Sequence, residues 1–189
     1  MTVVEDTQLA QRVADDPEAA AVFGRRLSPR VRGLARHLMG ARDGWEDAAQ
    51  LSLIELLRAA PRYNGSGSLE RWSDRITVRT TLRFARARRE VQARQGDQDP
   101  EHLLAPPGAD LVAQGEVLGI LERLDPTRRT VVVLRHVYEY GIDEIANLTG
   151  VSRNTVKDRL VQGRREVRQH LRAQRARPAL KLVRTGQGA

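Results

Sequence analysis

Apolar residues recur at helical spacing through the first third of the chain. Between residues 7 and 38 they fall three, four or more positions apart, as on one face of a helix: Leu9, Val13, Val22, Leu27, Val31, Leu34 and Leu38. Pro17 and Pro29 stand where helices begin or bend. The stretch DAAQLSLIELLRAA predicts a second helix that ends at Pro61. The sequence RYNGSGSLERW follows, and its residues 64–68 predict a loop.

Residues 71–89, RWSDRITVRTTLRFARARR, carry two conflicting patterns. Arg71, Arg75, Arg79 and Arg83, here called the arginine row, are four apart and would share one helix face, where like charges repel. Residues 76–84 instead alternate between apolar or threonine positions and polar ones, which is typical of a strand. On a helical wheel Leu82 falls among the arginines. Periodicity therefore leaves open a helix or a strand, and arginines that face a polyanion or only solvent.

A polar stretch divides the chain. The sequence QARQGDQDPEHLLAPPGAD contains three prolines and little periodicity, which predicts a linker. Helical spacing returns from about residue 111 and stops before RPALKLVRTGQGA. We therefore expect an all-α fold of two small helical domains joined by a flexible linker. The expected boundaries are residues 1–94, a linker at 95–110, a second domain at 111–176 and a basic tail at 177–189.

Residues 124–171 predict a helix-turn-helix. Asp125 and Pro126 begin one helix, which Gly141 ends, and a short helix follows up to the turn at Thr149 and Gly150. Ser152 is placed to cap the next helix. In that helix an apolar stripe of Val156, Leu160, Gly163, Val167 and Leu171 directs Asn154, Lys157, Asp158, Val161 and Arg165 outward. A basic outer face on a capped second helix suits a DNA major groove, whereas the alternative is a helical hairpin with a solvated face.

Composition narrows the choice of partners. The chain has 189 residues and a formal net charge of +8, from 32 basic and 24 acidic side chains. The first turns are acidic, whereas the chain from Arg153 onward is strongly basic, which favours a nucleic-acid partner for that end. Cysteine is absent, and no signal peptide or membrane span is recognisable. We therefore expect a soluble, cytoplasmic protein without membrane insertion.

Catalytic motifs are not found. The four histidines, His37, His102, His136 and His170, are scattered without ligand spacing. GSGS at 65–68 is better explained as a turn than as a phosphate-binding loop. Adjacent acidic pairs such as Asp15 with Asp16 would point apart on a helix. We expect neither an enzyme nor any metal or other cofactor.

These segments resemble a known bacterial family. The string LRHVYEYGIDEIANLTGVSRNTVKDRL is similar to the C-terminal domain of an extracytoplasmic-function (ECF) sigma factor of RNA polymerase. DTQLAQRVADDPEAAAVFGRRLSPRVRGLARHLMG resembles the first helices of that family, and EDAAQLSLIELLRAAPRYNGSGSLERWSDRIT resembles its polymerase-binding and promoter-melting segment. The similarities cover most of the chain in the family's own order. In this family the segment that matches the arginine row is a helix that contacts promoter DNA, so the resemblance favours a helix.

The resemblance implies roles for residues of the first domain. The helix at residues 46–58 would bind a coiled coil of the polymerase, through the positions Asp47, Gln50, Leu51 and Ile54. The loop would capture a flipped-out base of the minus-ten element, with Asn64 hydrogen bonding and Tyr63 stacking. The expected minus-ten contacts are Tyr63, Asn64, Ser66, Ser68, Arg71, Arg75, Arg79 and Arg83. Trp72 would be structural.

In the second domain the resemblance implies contacts with the minus-thirty-five element. The expected contacts are Arg153, Asn154, Thr155, Lys157, Asp158, Arg159, Gln162, Arg164 and Arg165. Asn154 and Gln162 suit adenine, Lys157 suits guanine, and the arginines suit phosphates. Asp158 is either a specificity residue that accepts from cytosine or a member of an intrahelical ion pair, and the sequence leaves both open.

Three positions depart from the family's pattern. Leu51 stands where an acidic residue usually follows Gln50, Arg79 replaces an asparagine, and Arg83 replaces a frequent aspartate. The hypothesis is a non-enzymatic initiation factor that binds core RNA polymerase and double-stranded and melted promoter DNA, and that is monomeric when free. Alternatives are a stand-alone helix-turn-helix regulator or a sigma-like decoy that does not initiate. Family members are often held inactive by an anti-sigma factor, and the sequence leaves open whether this chain has one.

Overall fold

The structure is a computed structural model that describes residues 2–40, 44–95 and 118–175. The expected basic tail and all of the expected linker except Gln95 lie outside these residues. Within them every regular element is helical and no strand occurs. The all-α class expected from the sequence is therefore confirmed.

The first domain consists of four α-helices and one 3-10 turn. They are α1 (Val3–Arg12), α2 (Pro17–Met39), α3 (Trp45–Ala59), the turn Ala60–Arg62, and α4 (Leu69–Gln95). Asp16 caps α2 by accepting from the backbone N–H groups of Glu18 and Ala19, and Pro17 occupies the first turn. Phe23, Leu27 and Leu56 lie in the centre of this domain's core, where the exposed fraction of each is 2% or less.

The second domain is a smaller helical unit. A helical segment of residues 118–122 precedes α5 (Pro126–His136), α6 (Ile142–Thr149) and α7 (Arg153–Arg175). The α5 helix ends at His136, earlier than Gly141, and Gly141 instead precedes α6. Val131 and Val133 of α5 and Val156 of α7 are fully buried in one apolar cluster. Their burial fixes which face of α7 is left outside.

The two domains pack against each other in this structure. Leu34 and Leu38 of α2 and Val78 of α4 belong to the same buried apolar cluster as Val131 and Leu134 of α5. This contact explains the conflicting pattern along α4. Its residue Ile76 packs in the first domain's core, whereas Val78 and Leu82 pack against the second domain. A helix buried on two sides has apolar residues at spacings that imitate strand alternation.

Candidate nucleic-acid and polymerase interface

The helix-turn-helix forms through the caps that the sequence predicts. The Asp125 carboxylate accepts from the backbone N–H groups of Thr127 and Arg128, and Pro126 takes the first helical position. The Thr127 hydroxyl also donates to this carboxylate, and that hydrogen bond, followed by the two backbone ones, holds the pKa of Asp125 below its usual value. The hydroxyl oxygen of Ser152 accepts from the Thr155 N–H at 3.1 Å, so the start of α7 is fixed.

Gly150 and Gly163 determine the orientation of α7 and its packing distance from α5. Gly150 ends α6 with a φ of 71°, in the left-handed region that favours glycine. At Gly163 a Cβ would lie 2.6 Å from a methyl carbon of Val132, so α5 and α7 approach closely only because no side chain is there. The buried stripe of α7 is thereby held against α5, and the opposite face points outward.

That outer face is largely available to a partner. Arg153, Asn154, Lys157, Asp158, Gln162, Arg164 and Arg165 are exposed, whereas Thr155 and Arg159 are half-buried. Three of the expected contacts are engaged locally: the guanidinium of Arg153 lies 2.6 Å from Asp143, the Thr155 hydroxyl 2.8 Å from that of Ser152, and Arg164 Nε donates to the Leu160 carbonyl. The structure thus brings all nine expected residues together on one helix.

The loop after the 3-10 turn is held by its own side chains. The Asn64 carboxamide oxygen accepts from the Ser66 N–H at 3.0 Å, and the Ser68 hydroxyl accepts from the Arg71 N–H at the start of α4. Gly65 has a φ of +76°, and a Cβ there would lie 2.9 Å from the hydroxyl oxygen of Thr7 in α1. Asn64, Ser66 and Ser68 are exposed, as the expected role in DNA contact requires.

Tyr63 does not fit the stacking role expected for it. Its exposed fraction is 1%, its ring centroid lies 5.3 Å from that of Trp72, and burial raises its pKa. Its hydroxyl donates to the Gly67 carbonyl at 2.8 Å. A ring that is enclosed in this way offers no face to a base, so the side chain supports the loop from beneath. No local pattern distinguishes a buried Tyr63 from an exposed one, because an aromatic residue beside a loop suits either position.

The arginine row lies on α4, as the resemblance favours. Arg75, Arg79 and Arg83 are exposed along one side, and Arg83 has only a distant ion pair with Glu55, at 3.8 Å. Arg71 is different. Its guanidinium carbon lies 4.0 Å from the ring centroid of Tyr140, and its Nη1 lies 3.5 Å from Glu144, both in the second domain. Three arginines of the row are therefore exposed to solvent, where an anion could reach them, and the fourth contacts the other domain.

One face of α3 carries the residues expected to bind polymerase. Asp47, Gln50, Leu51 and Ile54 are all exposed, at positions that share a helix side. Leu51 is 41% exposed and Ile54 is 44% exposed, whereas Ser52 and Leu56 face the core. Two neighbouring apolar side chains in solvent are compatible with a protein-binding surface. The departure at Leu51 makes this surface more apolar.

The sequence interpretation missed a polar cluster between the domains. The Asp74 carboxylate is 1% exposed and accepts two hydrogen bonds from Arg30, each at 2.7 Å. The Tyr140 hydroxyl of the second domain donates to the same carboxylate at 2.7 Å. Burial, together with the hydrogen bond to Asp74, raises the pKa of Tyr140. Tyr138 lies beside it, with its hydroxyl 3.2 Å from His37 Nδ1.

A signal for this cluster was present in the sequence. The chain has only three tyrosines, and two of them, Tyr138 and Tyr140, lie in the short turn between α5 and α6. A short turn is too small to bury two aromatic rings by itself, so this pair suggests a contact with another part of the chain. The partner could not be read from spacing, because Arg30 and Asp74 are 44 residues apart.

Metal and membrane sites find no support in the described part of the chain. Among residues 2–40, 44–95 and 118–175, no three carboxylate or histidine side chains cluster so as to hold a metal ion. Over the same residues, no helix combines the length and the apolar content that crossing a bilayer would need.

Comparison with known proteins agrees with this geometry. Residues 24–91 match the family model of sigma-70 region 2, and residues 114–167 match that of sigma-70 region 4. The ECF sigma factor SigM of Mycobacterium tuberculosis is 30% identical over 161 residues, which cover 82% of this chain and 79% of that protein. SigE of Mycolicibacterium smegmatis is 28% identical over 179 residues, covering 84% of this chain and 69% of that protein.

Solved structures show the same fold. The sigma factor RpoE of Bartonella quintana, solved with the anti-sigma factor NepR, has a TM-score of 0.65 at 21% identity and covers 79% of this chain and 96% of its own. CnrH, solved with the cytosolic domain of CnrY, has a TM-score of 0.55 at 22% identity and covers 89% of this chain and 97% of its own.

The two matched regions, one with an apolar surface helix and one with a helix-turn-helix, define a bacterial transcription factor of the sigma-70 class. Within that class, the chain belongs to the ECF family of RNA polymerase sigma factors. Sigma factors are transcription regulators and not enzymes.

Proposed function

We propose that this protein binds core RNA polymerase and directs promoter-specific transcription initiation, reading the minus-ten element with its first domain and the minus-thirty-five element with α7. The observation that carries the proposal is the presence of sigma regions 2 and 4, in that order, on one chain. A regulator that only binds DNA has no need for the first of these regions. The protein acts as a monomer on one asymmetric promoter.

The polymerase contact lies on α3. The apolar pair Leu51 and Ile54 is exposed and is flanked by Asp47 and Gln50. Leu51 is 41% exposed and Ile54 is 44% exposed, so covering the remaining surface in an interface would contribute about 0.6–1.3 kcal/mol each. We expect this surface to dock on the coiled coil that the family's resemblance implies.

The DNA contacts divide between reading and positioning. Asn154, Lys157 and Gln162 on α7 are exposed and can donate to or accept from base edges in a major groove. Arg75, Arg79 and Arg83 on α4 lie along one exposed side, where phosphates of the minus-ten region would neutralise their mutual repulsion. Asn64, Ser66 and Ser68 supply polar groups to an unpaired base, and Tyr63 supports their loop.

Initiation requires the two domains to separate. The minus-ten and minus-thirty-five elements lie about 25 base pairs apart, which is roughly 85 Å at about 3.4 Å per base pair. Domains joined by a hydrogen bond from Tyr140 to Asp74 cannot reach both elements. Separation would also release Arg71 from Tyr140 and Glu144 for DNA. An anti-sigma factor, such as the NepR that is bound to RpoE, would act here by stabilising the packed arrangement.

The test is transcription in vitro with the full chain, core polymerase from a related bacterium and a fragmented genomic library, followed by sequencing of the new transcripts. Transcripts that share one upstream motif would support the proposal. Ile54→Asp should abolish core binding and transcription, whereas Val91→Asp, the same kind of change at a 51% exposed valine of α4, should not. DNA binding without any gain in initiation would favour a stand-alone regulator or a decoy instead.

A further inference from the structure

Two residues on the outer face of α7 are not explained by attraction to a phosphate backbone. Val161 has 62% of its surface exposed, the second-highest value among the large apolar side chains of the described residues. Asp158 is exposed on the same side, three positions earlier. A carboxylate is repelled by phosphates, and an isopropyl group neither donates nor accepts a hydrogen bond. Both side chains nevertheless lie among Lys157, Gln162 and Arg165 on the exposed surface that the proposed function assigns to DNA.

Asp158 is not part of an intrahelical ion pair. Its neighbours four positions away, Asn154 and Gln162, carry no charge. The adjacent Lys157 and Arg159 project in other directions, because residues one apart on a helix do not face each other. Within the residues that the structure describes, no salt bridge or hydrogen bond involves the Asp158 carboxylate. One of the two roles that the sequence left open is thereby removed.

We propose that Asp158 and Val161 are specificity residues for the upstream promoter element: the Asp158 carboxylate accepts a hydrogen bond from the exocyclic amino group of a cytosine, and Val161 packs on the 5-methyl group of a thymine in the same groove. This inference rests on the proposed function and deepens it. The two groups needed for the contact, an acceptor and an apolar surface, are the ones these side chains supply.

The chemistry of base edges selects cytosine for Asp158. In the major groove cytosine presents an amino donor, adenine presents an amino donor beside the acceptor N7, and guanine and thymine present acceptors at the corresponding positions. A carboxylate that approached adenine would place two acceptors together. It would be repelled outright by guanine. Cytosine is therefore the base to which the Asp158 carboxylate can hydrogen bond without meeting a second acceptor.

The Asp158 carboxylate also discriminates against DNA that lacks the selected cytosine. Repulsion between the Asp158 carboxylate and the phosphates lowers the affinity of α7 for DNA in general. A hydrogen bond to a cytosine at the matching base step offsets that repulsion. Val161 adds the complementary attraction, since thymine is the base that carries a methyl group in this groove. Residues three apart rise about 4.5 Å along a helix, so the two contacts fall on neighbouring base steps.

The experiment is a base scan with the holoenzyme, formed from the full chain and core polymerase. A promoter library randomised over the upstream element is selected for binding by wild type, Asp158→Asn and Val161→Ala. Each thymine of the selected element is then replaced by deoxyuridine, which lacks the methyl group. The matched controls are Asp15→Asn, the same charge change at an exposed residue of the first domain, and Val137→Ala, the same truncation at a valine that is 46% exposed outside α7.

We expect one thymine-to-deoxyuridine replacement to weaken wild-type binding about threefold, and to leave Val161→Ala binding unchanged. Asp158→Asn should bind unselected DNA more tightly and lose about tenfold in its preference for cytosine. Val137→Ala and Asp15→Asn should behave as wild type. A wild-type holoenzyme that tolerates deoxyuridine everywhere, together with an unchanged selection by Asp158→Asn, would overturn the inference and leave the proposed function standing.

Failure of the proposed function gives a different result. If the chain forms no initiating holoenzyme, the same selection and base scan are run on the free chain with double-stranded DNA. Methyl dependence and cytosine preference in that scan would support the two specificity residues in a stand-alone regulator. A free chain that selects no sequence would overturn both proposals.

Discussion

Removing one atom, the hydroxyl oxygen of Tyr140, should weaken the contact between the domains, because this hydroxyl donates to Asp74 across it. Tyr140→Phe removes the hydroxyl and keeps the ring, so the packing beneath Arg71 is preserved. Asp74 stays buried, and its Oδ2 atom keeps the hydrogen bond from Arg30. A hydrogen bond to a charged acceptor contributes about 1.5–3 kcal/mol. Because Arg30 still serves this oxygen, we expect a loss near the lower end, about 1.5 kcal/mol.

The assay measures separation of the domains directly. The chain has no cysteine, so Arg62→Cys on the first domain and Arg168→Cys on α7 provide two unique sites for fluorescent labels. Energy transfer between the labels is followed as urea is added. A loss of about 1.5 kcal/mol corresponds to a roughly tenfold shift toward separated domains, and the urea midpoint for separation should fall accordingly.

Tyr63→Phe is the matched control for this experiment. It removes the same atom from an equally buried tyrosine, but its hydroxyl donates to the Gly67 carbonyl inside the first domain. We expect the separation midpoint to stay at the wild-type value. Equal midpoints for wild type, Tyr63→Phe and Tyr140→Phe would refute the reasoning, since the cross-domain hydrogen bond would then contribute nothing to closure.

Three further predictions concern stability. Gly163→Ala places a methyl group 2.6 Å from a valine of α5 and should lower the unfolding free energy by about 1–3 kcal/mol in a denaturant titration, whereas Gly24→Ala, also helical but with open space, should not. Gly65→Ala should lower the melting temperature more than Gly67→Ala does. Both positions have a positive φ, but only at position 65 would the added methyl group meet a neighbouring atom. Burial, followed by the charge of Arg36, lowers the pKa of His37 below 6.5 in the folded protein. The imidazole of His37 is therefore protonated more readily in the unfolded chain than in the folded one. Stability should therefore decrease as the pH falls through about 6.5, and His37→Gln should reduce that decrease in urea titrations at pH 7.5 and 5.5.

Local chemistry made the helix-turn-helix predictable. Asp125 before Pro126, Ser152 three residues before Thr155, and glycine at position 150 each satisfy a backbone requirement within a few residues. The apolar stripe then orients α7 without reference to any distant part of the chain. The outer face follows from the inner one, which is why its residues could be named before their positions were known.

Distant contacts were not predictable in the same way. The alternation around Val78 and Leu82 has its cause in the second domain, which covers α4 from a side that the local pattern does not reveal. The resemblance implies that Tyr63 stacks on a base, but the loop closes over its ring. The carboxylate of Asp74 and the hydroxyl of Tyr140 are 66 residues apart, and no spacing rule connects them.

The arrangement around Asp74 also determines how the separation of the domains responds to ionic strength. When the domains part, the ion pair between Arg30 and Asp74 stays intact within the first domain, and the group that leaves is the neutral hydroxyl of Tyr140. Among the described residues, the ion pair between Arg71 and Glu144 breaks on separation; it is partly exposed and spans 3.5 Å, so it contributes little. Opening therefore depends only weakly on salt, whereas phosphate binding depends on it steeply. Added salt would release promoter DNA without holding the domains closed.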